Sequence, residues 1–242
     1  ERKRRKSILP DVLDDEAKKE RKEAGENAMP RKVYTEELNH LALQVSQMGE
    51  QLESMIDQVT QALKDLDSSL AKKIVAEDDI IDDMERTIEK GCIRIVAKQQ
   101  PVATDLRRVT SIMRLISDIE RIADHCSDIS ENLLEINEDS PVTGPEKLFD
   151  MLAEVKEMVR DTIDSFVEED LEKSQRVAEK DDEIDDLFER MKNELCADMR
   201  ENPLHIKTYL DYFMIIKYVE RMADHCVNIA EWVGFIITGD LE

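Results

Sequence analysis

One segment occurs twice in this chain of 242 residues. Residues 118–131 read Asp-Ile-Glu-Arg-Ile-Ala-Asp-His-Cys-Ser-Asp-Ile-Ser-Glu, and residues 218–231 read Tyr-Val-Glu-Arg-Met-Ala-Asp-His-Cys-Val-Asn-Ile-Ala-Glu, an offset of 100. Upstream, Asp-Asp-Ile-Ile-Asp-Asp at 78–83 returns as Asp-Asp-Glu-Ile-Asp-Asp at 181–186, an offset of 103, and Pro101 returns as Pro203. Ordered matches at two places in each copy mark a duplicated unit of about 100 residues. Whatever one unit folds into, the chain contains twice.

The unit reads as helical. Leu41, Val45, Met48, Leu52, Met55, Val59 and Leu63 recur at spacings of three and four, the period of a helix with one apolar face. A second run carries Ile74, Ile81, Met84, Ile88, Cys92 and Ile95 and stops before Pro101. A Ser in the break at 66–69 is expected to cap it. A third starts near Thr104 and passes through Leu106, Val109, Met113, Ile116, Ile119, Ile122, Cys126, Ile129 and Leu133. Residues 137–145 are rich in turn formers and read as a linker. The programme then repeats, with a fourth helix from about Glu146 to Glu168, a fifth through Val177, Ile184, Leu187, Met191 and Leu195, and a sixth from beyond Pro203 to about Ile237. With 6 Gly, 6 Pro and 4 % aromatics there are too few turn residues for a sandwich, barrel or βαβ fold. The expected fold is all-α, two tandem three-helix bundles: residues 29–140 and 141–242. Residues 1–28, with nine basic and eight acidic side chains and no sustained stripe, read as a mobile charged N-terminal extension.

A formal charge of −23 repels phosphate backbones and argues against nucleic-acid binding. No apolar run reaches the roughly 18 residues that span a bilayer. Cys92, Cys126, Cys196 and Cys226 form no Cys-x-x-Cys pair, and the first, second and fourth lie on apolar helical faces, so reduced thiols in a cytoplasmic protein are expected.

The acidic residues are placed with more order than solubility requires. At about 100° per residue, Glu120 and Asp124 share a flank of the third helix, and Glu220 and Asp224 repeat this in the sixth. In the second helix Asp79 and Asp83 point away from the core stripe, whereas Asp78 and Asp82 lie near its edge, where a neighbouring helix can meet them. Asp181 and Asp185 occupy the corresponding place in the fifth helix. Like charges at i and i+4 destabilise a helix. A solvated acidic face is the plain reading of one such pair. Matched pairs from two helices, found in both units, instead suit an all-oxygen pocket for a hard cation: Fe, Mn or Mg, with Zn also admissible.

His125 and His225 fall on another outward flank, with Arg121 and Arg221 four residues before them. These four basic groups on an acidic body are candidate partner-binding residues. Arg107 and Arg108 stand where an anion at a helix N-terminus would sit, but the second copy has Lys207 and Thr208 there. There is no P-loop, His-Glu-x-x-His or Gly-x-Ser-x-Gly motif, and nothing pairs a nucleophile with a base, so no enzyme is expected. Di-iron bundles need Glu-x-x-His on two helices, and here one such tetrad occurs, Glu37 to His40.

The acidic run at 78–83, the Gln-Pro-Val-Ala-Thr-Asp-Leu-Arg-Arg sequence at 100–108 and both Glu-Arg-x-Ala-Asp-His segments resemble the PhoU family, over residues 31 to about 236. The resemblance implies a duplicated three-helix fold. It also implies a cytoplasmic, non-enzymatic negative regulator of phosphate uptake and of phosphate-starvation signalling. Its implied partners are the ATPase subunit of a phosphate ABC transporter, a phosphate sensor histidine kinase and a second copy in a homodimer, with the membrane reached through those partners. Metal ligands implied by the resemblance are Asp78, Asp82, Glu120 and Asp124 in the first unit and Asp181, Asp185, Glu220 and Asp224 in the second. Two other readings are a metal-storage or redox bundle and the PhoU-like regulatory tail of a sodium–phosphate transporter.

Overall fold

A computed structural model describes the backbone of residues 9–101, 103–136 and 142–240, and side chains from residue 32 onward. Seven α-helices occur among the described residues, with no strand: α1 Leu9–Asp65, α2 Ser68–Ala76, α3 Asp79–Gln99, α4 Thr104–Glu135, α5 Leu148–Glu168, α6 Leu171–Glu201 and α7 Ile206–Thr238. A 3₁₀ turn, Pro203–His205, leads into α7. The chain divides into two units, residues 1–40 and residues 41–242.

In the first unit the backbone is helical from Leu9, well before the Tyr34 start that the apolar stripe marks. Residues 16–24 are Glu, Ala, Lys and Arg throughout, which hold helical geometry by propensity without an apolar face. The expected extension 1–28 falls outside the described residues at 1–8, and outside the described side chains for the rest.

The second unit carries the duplicated bundles. α1 (from Leu41), α2 with α3, and α4 form one; α5, α6 and α7 form the other. Helix α2 begins at a cap, as the break at 66–69 suggests, but the capping side chain is Asp67 rather than a Ser: its carboxylate accepts from the Ser69 and Leu70 amides at 2.9 and 3.0 Å. Asp170 caps α6 in the same way, accepting from Lys173 N at 3.0 Å, so the cap is part of the repeat. Acceptors at this position satisfy amides that have no partner inside the helix.

The single second helix expected from Ile74 to Ile95 is two helices. It breaks at Glu77 and Asp78, where Ile80 N and Ile81 N bond back three residues, at 3.1 and 3.3 Å. Its counterpart α6 is continuous. The break coincides with a bond from Ser127 Oγ–H to Asp78 Oδ1 at 2.8 Å, and the second copy has Val227 where the first has Ser127.

The core follows the stripes. Val45, Met48, Leu52, Ile88, Cys92, Ile119, Ile122, Val155, Ile215 and Ile229 are all buried. Each large aliphatic side chain buried here contributes roughly 1.5–3 kcal/mol. Two glycines mark close approaches: a Cβ on Gly49 of α1 would lie 2.7 Å from Ile163 of α5, and one on Gly91 of α3 would lie 2.7 Å from Leu41 of α1. Helices α4 and α7 run antiparallel against each other through the middle of this unit. Lys207 at the start of α7 bonds Glu135 at the end of α4 at 2.7 Å, and the Arg107 guanidinium near the start of α4 lies 5.7 Å from the Phe235 ring near the end of α7. No helix among the described residues is long and apolar enough to cross a membrane.

Candidate metal centre and the flanks beside it

In the first copy the seam between α3 and α4 gathers three of the four expected carboxylates. Asp82, Glu120 and Asp124 each present an oxygen, and these atoms lie within 4.8 Å of one another. The geometry follows from the helices: Glu120 and Asp124 are one turn apart on α4, and Asp82 sits in the first turn of α3 facing them. All three are half-buried. Burial, then the adjacent Asp124 charge, pushes the Glu120 carboxyl up to about 7 from an ordinary 4.5. Three crowded oxygens that resist ionising together match what a hard cation relieves.

The fourth residue, Asp78, stands beside this trio and feels the Asp124 and Asp82 charges, and burial raises its carboxyl. One of its oxygens is committed to Ser127. Two arginines stand at the rim: Arg86 reaches Asp82 at 2.8 Å and Asp83 at 2.9 Å, and Arg121 reaches Asp124 at 2.9 Å and Glu120 at 3.6 Å.

The second copy is different. Asp181 is pushed up to about 6 by burial and then by Asp224, Asp185, Asp182 and Glu220, so the same four positions are neighbours. Among the described residues, however, they do not gather three ligand atoms as the first copy does. The ammonium of Lys217 holds both oxygens of Glu220, which is buried rather than on an open flank. The first copy has Ser117 at the corresponding position. The cations that meet the first cluster, Arg86 and Arg121, come from other positions, so the two copies neutralise their carboxylates differently.

The outward flank expected for His125 and His225 is corrected. His125 is 6 % exposed. Its ring lies 5.4 Å from Tyr218 and 5.6 Å from His225, and its Nδ1 is 3.1 Å from Asp128. Burial holds the His125 imidazole below its ordinary 6.5. His225 Nδ1 is 2.8 Å from Asp118 of α4, which also accepts from Asn228 at 3.3 Å. The cause is that α4 packs against α7 as well as against α2 and α3, so a flank that a one-sided helix would expose is covered. Arg121 and Arg221 remain exposed. Arg107 and Arg108 are also committed: Arg107 lies over Phe235, and Arg108 pairs with Glu169.

Asp118, Ser127 and Lys217 were not singled out from the sequence. The signal that finds two of them is the disagreement between repeats, Ser127 against Val227 and Ser117 against Lys217, rather than the agreement.

The PhoU domain matches residues 45–133 and again 148–233, one match per copy. The phosphate-specific transport system accessory protein PhoU homolog of Clostridium acetobutylicum is 34 % identical over 212 residues, 87 % of this chain and 97 % of the relative. Two crystal structures share the fold. PhoU from Pseudomonas aeruginosa superposes with a TM-score of 0.79 at 31 % identity, covering 86 % of this chain and 100 % of the other. The phosphate transport system regulatory protein PhoU from Streptococcus pneumoniae gives 0.81 at 29 %, covering 86 % and 99 %. With both copies matched and relatives aligned over almost their whole length, the chain belongs to the PhoU family.

Proposed function

We propose that this chain is a non-enzymatic accessory regulator of phosphate transport, which restrains uptake and starvation signalling by contact. The observation that carries this reading is the family match over both repeats, together with relatives named as accessory proteins of phosphate-specific transport. The proposed partners are the ATPase subunit of a phosphate ABC transporter and a phosphate sensor histidine kinase, met in the cytoplasm. With His125 and His225 turned inward, the basic contact groups in this reading are Arg121 and Arg221, exposed on a body of charge −23. Local positive charges on such a body orient encounter more than they tighten it.

In the same reading the trio Asp82, Glu120 and Asp124 holds a hard cation such as Mn or Fe, with Asp78 at its edge. The second cluster, Asp181, Asp185, Glu220 and Asp224, takes one only when Lys217 is displaced. A bound cation would supply charge neutralisation at the α3–α4 seam and so fix the relative position of those helices.

A pull-down with the transporter ATPase, beside a starvation-promoter reporter, tests the regulatory reading. The expected result is binding that weakens with added salt and with Arg121→Glu plus Arg221→Glu, and a reporter switched on in phosphate-rich medium when the gene is deleted. No binding, together with a reporter that stays repressed in the deletion strain, overturns it.

A further inference from the structure

The second bundle carries a groove between α6 and α7. Leu171 and Ala178 of α6 and Val227, Ala230 and Gly234 of α7 form its floor, and the cavity holds about 190 Å³. An apolar cavity of about 150 Å³ accepts a benzene-sized group, so this one has room for a large side chain. At the positions of Ala178 and Gly234 the first copy has Val75 and Leu134. At the positions of Leu171 and Val227 the first copy has the smaller Ser68 and Ser127, so the two copies line this place with different side chains.

Gly234 has no explanation within the chain. A glycine inside a helix costs about 1 kcal/mol relative to alanine. The other described glycines have a local reason: a Cβ on Gly49, Gly91 or Gly144 would come within 2.7 Å of a neighbouring side chain, and Gly239 has φ +90°. At Gly234 the nearest atom to an added Cβ is Leu171 Cδ1 at 3.8 Å, an ordinary contact with open space beyond. Glycine beneath an open groove suits a backbone arriving from outside. Glu231 and Asp240, both exposed, are among the residues that line it, and no lysine, arginine or histidine is. Neither carboxylate has an ion-pair partner among the described residues.

We propose that this groove docks an amphipathic helix of another protein, apolar along one face and basic on its flanks. Apolar anchors would enter beside Gly234 while cationic side chains meet Glu231 and Asp240, the helix-in-groove mode of recognition. A second copy of the chain, at −23, is a like-charged occupant, and anionic lipid or nucleic acid meets the same repulsion. The proposal goes beyond the regulatory reading and does not depend on it, because its test contains no transporter component.

The probe is a fluorescein-labelled peptide of about 18 residues, long enough to hold a helix, with a Leu/Ala face and Lys flanks. A second peptide replaces every Lys by Glu. Binding is followed by anisotropy with the full chain. Ala178→Val with Gly234→Leu puts larger apolar side chains into the groove without altering charge, and is expected to weaken the Lys peptide at least about tenfold. The Glu peptide is expected to bind at least as much more weakly than the Lys peptide. Glu231→Gln with Asp240→Asn, which leaves the core untouched, is expected to lower affinity several-fold and to flatten the salt dependence. Equal binding to the filled variant means that net charge alone attracts the peptide and overturns the groove as a site. Equal binding of the two peptides, or no change in the Gln/Asn variant, overturns the basic partner.

Discussion

Glu120 provides the sharpest test of the acidic seam. Its carboxyl is pushed to about 7 from 4.5 by burial and by Asp124. A group whose native value lies above its unfolded value binds a proton more tightly in the native state, so protonation favours folding. The penalty of ionising it is absent below the unfolded value of 4.5, grows as pH rises, and is complete above the native value near 7. The full displacement corresponds to about 3 kcal/mol. The side chain is 17 % exposed and Arg121 lies close by, so screening reduces this to about 1–2 kcal/mol. Glu120→Gln mimics the protonated form at every pH. In chelator, the variant is expected to exceed the parent by about 1–2 kcal/mol near pH 8, or about 2–8 °C in Tm, and to match it near pH 4. Urea unfolding at both pH values measures this as a difference between two chains, so raised carboxyls that do not act on Glu120, such as Asp181 and Asp211, cancel. With Mn²⁺ at about a hundredfold over Kd the parent should gain about 2.7 kcal/mol and the variant much less. A variant no more stable than the parent near pH 8, or one whose advantage does not shrink on acidification, would refute the reasoning.

Asp82→Asn with Asp185→Asn should abolish the Mn²⁺-induced rise in Tm while leaving the metal-free chain as stable or more so, since like charges are removed at i,i+4; an unchanged metal response would place the site elsewhere. Asp170→Ala should cost about 1 kcal/mol in urea unfolding through loss of the α6 cap. Of the four cysteines, exposed Cys196 should react with a thiol reagent in the native state, while buried Cys92, Cys126 and Cys226, all held above the ordinary thiol value, react after unfolding; a count of more than one native thiol contradicts the burial. A chain starting at Met29 should melt within a degree or two of the full chain, and a larger drop would mean that residues 1–28 contribute to packing.

The duplication and the 3.6 period carried most of the fold, because an apolar stripe that must be buried leaves few ways to arrange six amphipathic runs. They placed Asp82, Glu120 and Asp124 on facing flanks for the same reason. What they missed has a common cause. A helical wheel assigns one buried face, and α4 and α7 are buried on several, so His125 and Glu220 were placed outward when a neighbouring helix covers them. The break at Glu77 and Asp78 was hidden because nothing in 74–83 is a helix breaker; it accompanies a tertiary bond to Ser127, 49 residues on. Lys217 was invisible to any search for matched motifs, since its effect lies in being unmatched.

The antiparallel pair α4 and α7 has a consequence for how the chain assembles. Each helix is the last of its own bundle, yet each presents to the other a surface lined by Asp118, His125, Tyr218 and His225. These contacts join positions about 100 residues apart, so the loop between them closes late and at an entropic cost. A half-chain made alone would end on an uncovered ridge with a buried imidazole turned to water. Translation therefore delivers a first bundle that is incomplete until the second has emerged, and denaturant is expected to melt residues 41–242 in one transition rather than two. Gene duplication produced two bundles; their shared ridge makes them a single cooperative body.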